Sequence, residues 1–230
     1  MLLRLSGPLQ AWGVESRFSV RDTGREPSKS GVIGLLMAAK GWPRGHPVEE
    51  LARLRLGVRA DVEGVVLRDY HVAGVGGYLN ARGTIERDNV IPGNRYYLMG
   101  ARFLVGLEGE DIALLQELHA ALRDPVWGLY LGRKACVPGE PVWLCNGLRP
   151  NESLEQALRG YPWLRPKWFR PERRPSRLRL VLEDPEGPQV RPDQPLSFAE
   201  RRFAPRRTRT CYCDAPSIFL EEVDLCTSPA

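Results

Sequence analysis

The residues best suited to chemistry in this chain are basic and aromatic side chains that occur in three short sets. The sets comprise Gln10, Trp12, Arg17, Arg25, Lys29 and Ser30; Arg68, Tyr70 and His71; and Gly132, Arg133 and Lys134. Cations that neutralise phosphates and rings that stack on bases are the combination that holds single-stranded RNA. If the three sets converge in space, they predict an RNA-binding surface. The alternative is a scatter of solvated arginines, with Trp12 in the core.

The first set leads into a predicted helix that opens at Ser28 and stops before Gly41. Free N–H groups and the helix dipole attract anions to such an end, and Lys29 adds a full positive charge. We therefore predict a binding site for a phosphate backbone. The alternative is an ordinary capped helix with a solvated lysine. The run from Gly24 to Ser30 lacks the second glycine of a P-loop, so nucleoside triphosphate binding is not favoured.

His71 is the strongest catalytic candidate, with Tyr70 and Lys134 as its possible partners. A metal-independent ribonuclease needs a general acid or base and a cation that stabilises the pentavalent phosphate. A metal-independent endoribonuclease is therefore the alternative to a protein that only binds RNA. His46 and His119 are interpreted as structural residues.

The composition indicates a soluble globular protein with a polyanionic partner. The chain has 230 residues, 43% hydrophobic and 27% charged, with a net charge of +5 and a pI of about 9.1. Its basic residues are almost all arginines, which suit bidentate phosphate contacts and stacking on bases. No apolar run is long enough for a membrane span, so no membrane is expected.

The five cysteines are an odd number and accompany no export signal, which predicts reduced thiols in the cytoplasm. The spacing of Cys136, Cys145, Cys211 and Cys213 does not fit a zinc knuckle. We expect no metal and no cofactor.

The elements predict an α+β fold. Hydrophobic patterning and turn signals give an N-terminal strand, a helix from residue 28, a hairpin of strands over 54–60 and 65–72, a strand over 97–107, a helix over 110–123 and a strand over 126–131. This β-α-β-β-α-β order predicts a ferredoxin-like, RRM-like domain over 1–147, with two helices on one sheet face and the other face free for a ligand. Residues 148–230 are predicted to form a small, mostly-β C-terminal region that starts with a helix near 153–158.

A polar, glycine-rooted stretch over about 74–95 predicts an inserted β-hairpin arm. It contains Arg82, Arg87 and Arg95 and few apolar residues. Because such a segment gains little from burial, we expect it to be mobile in the free chain.

Four ordered motifs resemble the CasD family, which are RAMP-superfamily subunits of type I-E CRISPR Cascade complexes. The motifs are LSGPLQAWG near the N-terminus, PSKSGVIGLLMAAKG over the first helix, RDYHVAG at 68–74 and LYLGRKACVPGEPVW at 129–143. They span roughly residues 1–145, and RRFAPRRT at 201–208 also fits. The resemblance implies the RAMP fold.

The resemblance also implies a function. It implies a non-catalytic cytoplasmic subunit that binds the 5′ handle of CRISPR RNA and caps a backbone filament, with cleavage left to another subunit. The arm would act as a thumb on a CasC-type neighbour, a CasA-type large subunit would lie nearby, and target DNA would be recognised through the complex by base pairing. With this implication, Arg82 and Arg95 join the three sets as candidate RNA-binding residues.

Overall fold

The computed structural model describes residues 1–16, 19–164 and 175–217. The strands are β1 (Leu2–Ser6), β2 (Leu9–Gln10), β3 (Val20–Arg21), β4 (Arg55–Val62), β5 (Val65–Ala73), β6 (Tyr78–Leu79), β7 (Ile85–Glu86), β8 (Ile91–Met99), β9 (Arg102–Glu108), β10 (Arg177–Glu183), β11 (Gln189–Ser197) and β12 (Arg202–Asp214). The helices are α1 (Lys29–Lys40), α2 (Glu49–Arg53), α3 (Ile112–Arg123) and α4 (Leu154–Gly160). The mixed α+β class is confirmed.

The main sheet has six strands in the order β1-β9-β4-β10-β12-β11, and every neighbouring pair is antiparallel. Strand β10 pairs with β4, with Val181 opposite Val58. The strands of the predicted C-terminal region therefore extend the sheet that the N-terminal part begins. The division of the chain at residue 147 stays a prediction.

Both faces of this sheet are covered over its central strands, so the predicted free face is wrong. Helices α1 and α3 pack on one face. Helix α4 packs on the other, where Leu104 and Leu180 are 0% exposed. The buried Arg59 side chain reinforces this second layer by donating to the carbonyl oxygens of Leu158 and Tyr161, both at 2.6 Å. An open sheet surface of the kind used in RNA recognition is not available there.

The predicted strand over 126–131 is also wrong. The first residues of this segment instead lie against the C-terminal end of α1, where the Val126 N–H donates to the Ala39 carbonyl at 2.9 Å. The outer edge of β1 makes hydrogen bonds to an irregular segment instead of a strand. The Leu2 N–H donates to Gly147 O, and the Arg4 N–H donates to Val142 O. The complete ferredoxin-like order is therefore not confirmed.

The inserted hairpin is present and is longer than predicted. Strand β5 pairs with β8 along its whole length, and the short pair β6–β7 forms the tip. Strands β4 and β5 were expected to pair with each other, but they lie in different sheets. The chain passes from the main sheet into the arm at Gly64 and returns at Gly100, and both have positive φ, 73° and 68°. Glycine adopts this conformation without the strain that a side chain would bring.

None of the helices in the described ranges is long and apolar enough to cross a membrane.

Candidate nucleic-acid interface

The second sheet, which we call the arm sheet, contains the second predicted set and Gln10 of the first. It is formed by β2, β8 and β3, with β5 on the other edge of β8. Its register places opposite one another Gln10 and Leu98, Arg21 and Arg95, Arg68 and Tyr96, Tyr70 and Asn94, and His71 and Gly93. Residues that are far apart in the sequence thus share one sheet.

The third set is fixed against the same sheet by Arg133. Its guanidinium donates to the carbonyl oxygens of Tyr96 at 3.1 Å and Asp22 at 2.8 Å. It also lies 4.9 Å from the centre of the Tyr97 ring. Arg133 therefore ties the loop to β3 and β8, and Lys134 beside it stays exposed.

Gly132 is required by the close approach of two backbones. The Ala11 N–H donates to the Leu131 carbonyl at 3.0 Å, and a Cβ on Gly132 would lie 1.7 Å from the Ala11 carbonyl oxygen. Its φ of +88° also favours glycine. This glycine lets the loop of the third set dock beside the first set.

Gln10 and Trp12 lie inside the protein. The Gln10 amide donates to Ala101 O at 2.8 Å, and its oxygen accepts from Trp12 Nε1 at 2.9 Å. Trp12 is only 2% exposed, so the alternative that placed its ring in the core is confirmed. Both residues support the arm sheet from within.

Lys29 is buried, with 1% of its surface exposed. Its Nζ lies 2.9 Å from Glu183 Oε1, and its backbone N–H donates to Asp193 Oδ2 at 2.8 Å. Burial lowers the pKa of Lys29, while Glu183 acts in the opposite direction. A carboxylate of the same chain thus occupies the helix end that was predicted to hold phosphate. Direct contact of Lys29 with RNA stays a prediction that needs this cluster to open.

The remaining predicted cations are accessible. Arg25, Arg68, Arg82 and Lys134 are exposed, and Arg95 is half-buried. The uncharged Ser30 is also half-buried. Arg68 Nε donates to Asn94 Oδ1 at 2.9 Å on the arm sheet. Arg21, which was not among the predicted site residues, is exposed and lies opposite Arg95. Arg21 belongs to the same basic loop as Arg17 and Arg25 in the sequence, but only strand pairing places it opposite Arg95. Arg17 lies outside the described residues.

The geometry does not assemble the nuclease candidates. Tyr70 and His71 are consecutive in β5, so their side chains point to opposite faces of the ribbon. Within the described ranges, neither side chain makes a hydrogen bond to Lys134. The same part of the chain contains no group of three His, Cys, Asp or Glu residues that could hold a metal ion.

The fold is an antiparallel main sheet from which a long hairpin arm projects. The profile of the family described as "CRISPR-associated protein (Cas_Cas5)" matches residues 1–209. The chain belongs to the Cas5 family of CRISPR-associated proteins.

Individual relatives agree with this assignment. The chain is 34% identical over 169 residues to the "CRISPR system Cascade subunit CasD" of Escherichia coli (strain K12), covering 67% of this chain and 75% of that protein. It is similar to a solved structure described as "Crystal structure of Cas protein", with 43% identity, a TM-score of 0.74 and coverage of 95% and 96% of the two chains. It is also similar to a chain of a "CRISPR RNA-guided surveillance complex", with 33% identity, a TM-score of 0.79 and coverage of 94% and 90%.

Proposed function

We propose that this chain is the CasD-type subunit of a CRISPR RNA-guided surveillance complex, in which it binds the 5′ handle of CRISPR RNA and caps one end of the backbone filament. The observation that carries the proposal is the positive charge at the arm sheet, where the second set lies on β5 and the third set is held against β3 and β8 by Arg133. Arg68 and Arg95 supply accessible positive charge on opposite faces of the arm sheet, since Arg68 lies opposite Tyr96 and Asp69 opposite Arg95. Arg133 holds the loop that carries exposed Lys134 against β3 and β8. Such charge contacts phosphates, while recognition of target DNA is left to base pairing by the RNA.

The arm supplies the second part of the proposal, which is contact with a neighbouring subunit. Its strands and tip expose apolar side chains, including Val66 (47%), Leu79 (73%) and Ile85 (62%). Exposed apolar groups on a projecting ribbon are typical of an interaction surface. In the assembled complex the arm packs on a CasC-type backbone subunit, with a CasA-type large subunit nearby. The complex works in the cytoplasm.

The proposed role is non-catalytic. Opposite side-chain directions separate Tyr70 from His71, so a general base and an aromatic partner do not meet at one phosphate. The chain then holds RNA that another subunit has cut.

A binding titration tests the proposal. A fluorescent RNA with the host's repeat-derived handle should bind more tightly than a mixed-sequence RNA of equal length. Replacing Arg68 and Arg95 by alanine should weaken binding and reduce the salt slope by about 0.7 per lost phosphate contact. Arg53→Ala, an exposed arginine on α2, is the matched control and should leave both unchanged.

Two outcomes would contradict the proposal. Equal affinity for both RNAs would mean that the handle is not recognised. Specific cleavage of repeat RNA in EDTA, lost in His71→Ala, would mean that the chain is an endoribonuclease.

A further inference from the structure

A groove lined by aromatic rings lies between α1, the irregular segment 126–132 and the turn that joins β11 to β12. Its volume is about 360 Å³, within the range of sites that hold small ligands. The rings that line it are Trp42, Trp127, Tyr130, Phe198 and Phe203. Trp127 and Phe203 are 47% and 43% exposed. Two large rings thus present apolar surface to solvent at one place, without a covering element in the described chain.

The charge of this groove has one sign. Arg44 and Arg201 line it, and no carboxylate does. Both arginines are exposed, and neither side chain makes a hydrogen bond or ion pair within residues 1–16, 19–164 and 175–217. Aromatic faces with unpaired guanidinium groups suit a ligand that is flat and apolar on its faces and anionic at its edge. A nucleotide has this chemistry, and a cationic peptide is excluded by charge.

The floor of the groove allows a flat ligand to approach the helix backbone. Gly34 of α1 lies there, and a Cβ added to it would meet only the Phe198 ring, at 3.8 Å. The absence of a side chain at Gly34 leaves room beside the rings.

The groove is continuous with the proposed RNA surface. Gly132 and Ser30 line it, and both belong to the predicted RNA-binding sets. Arg133, the next residue after Gly132, bonds to the arm sheet. An RNA strand that leaves the arm sheet along the loop at 132–134 therefore reaches the groove without crossing an acidic surface on that loop. This continuity favours RNA over an acidic peptide.

We propose that the groove holds an unstacked nucleotide of the same RNA strand, with its base on Trp127 and Phe203 and its phosphate near Arg44 and Arg201. The proposal rests on the proposed function, because it extends the path of an RNA already held by the arm sheet. It assigns Trp127, Phe203, Arg44 and Arg201 to RNA binding.

Affinity measurements with substituted proteins test the groove, using the handle RNA as the probe. Trp127→Ala should weaken binding about tenfold, because stacking of one base on an aromatic ring contributes roughly 1–3 kcal/mol. The salt slope should stay unchanged, since the ring carries no charge. Trp127→Phe should bind like the wild type. Arg44→Gln should lower the salt slope by about 0.7 if it contacts one phosphate.

The matched control is Tyr212→Ala, which removes another exposed ring (51%) from β12, outside the groove. It should bind RNA like the wild type. Photo-crosslinking of wild-type protein with 4-thiouridine RNA gives a measurement that does not depend on folding of the variants. Crosslinks should map to peptides that contain Trp127 or Phe203.

Three results would overturn the proposal. Wild-type affinity of Trp127→Ala, with crosslinks confined to the arm sheet, would leave the proposed function standing and remove the groove from it. The same affinity with loss of assembly with other subunits would assign the groove to a protein partner. Failure of the wild type to bind RNA at all would overturn both proposals.

Discussion

Lys29 has the charge that a phosphate site needs, but its surroundings decide what that charge does. Its partners Asp193 and Glu183 lie 164 and 154 residues further along the chain. Asp193 also holds Arg206 through a bidentate pair with distances of 2.6 and 2.9 Å. The result is a buried network that anchors the start of α1 to β10 and β11.

We expect Lys29→Met to lower the free energy of unfolding by about 3 kcal/mol, because it leaves a partly buried carboxylate without its main cation. The measurement is chemical denaturation of the free protein. Lys40→Met is the matched control at the other end of the same helix, where the partner carboxylate of Glu117 is 62% exposed. It should cost less than about 1 kcal/mol. Equal losses would mean that the buried network is not important for stability.

The pKa of Lys29 gives the same variant a pH signature. Since burial lowers this pKa below its ordinary value of 10.5, the unfolded chain binds the proton more tightly than the folded chain. The stability of the wild type relative to Lys29→Met should therefore rise as the pH increases toward 10.5. Denaturation curves of both proteins at several alkaline pH values check the sign, and a falling difference would contradict it.

The cysteines should react at different rates in the folded protein. Burial raises the pKa of the Cys136 and Cys213 thiols, whereas Cys145 and Cys211 are half-buried. Among the four cysteines in the described ranges, Cys145 and Cys211 should be modified first by a thiol reagent at pH 8, as mapped by mass spectrometry. In guanidinium without reductant, all five cysteines should react. A missing pair of thiols would indicate a disulfide and contradict the prediction of reduced cysteines.

At the scale of elements, local signals predicted the helices well. Ser28, Asp111 and Ser153 each accept a bond from a backbone N–H in the first turn of α1, α3 and α4, and Gly41 ends α1 in the left-handed conformation. A capping bond joins residues that are within four positions of each other, so a short stretch of sequence is enough to predict where a helix begins or ends.

Strand pairing was predicted less well because it depends on distant residues. The strands β4 and β5 were placed nearly correctly, but their expected pairing is wrong. Patterning indicates which residues are extended, whereas Gly64 and Gly100 decide into which sheet each strand goes. The same limit applies to Lys29, since its charge was evident from the sequence and its burial was not.

The arm should be the first part of the free protein to be cut by trypsin. Arg82 and Arg87 are exposed near its tip, where the pair β6–β7 has only two residues in each strand. Short pairs with few buried contacts open readily, so cleavage should start at these residues and be suppressed in an assembled complex. Peptide mapping over time gives the order of cuts. Resistance at both sites would show that the tip is stable on its own.

Removal of the tip provides the control for this interpretation. Joining residue 73 to residue 91 through a short Gly-Ser bridge keeps the pairing of β5 and β8 near the body. The thermal transition of the free protein should then stay nearly unchanged, while binding to neighbouring subunits is lost. A decrease of many degrees would mean that the tip belongs to the stable core.

At the scale of the whole molecule, the continuous main sheet predicts one cooperative unit. Residues 1–147 alone would leave the edge of β4 unpaired and expose the face that α4 covers. We expect this fragment to aggregate or stay unfolded, and the full chain to show a single calorimetric transition. A soluble, folded fragment or two separate transitions would support two independent domains.

The strands β5 and β8 carry the basic residues Arg68 and Arg95 and, nearer the tip, the exposed apolar residues Val72 and Ile91. One continuous ladder of hydrogen bonds joins the two regions. RNA bound at Arg68 and Arg95 would order the ribbon. A neighbouring subunit that then binds the tip would cause a smaller further loss of conformational entropy. By thermodynamic linkage the effect is reciprocal, so the neighbour should increase the affinity for RNA by the same factor. The arm would then act as an assembly checkpoint, because a subunit without RNA joins the filament less favourably than a loaded one.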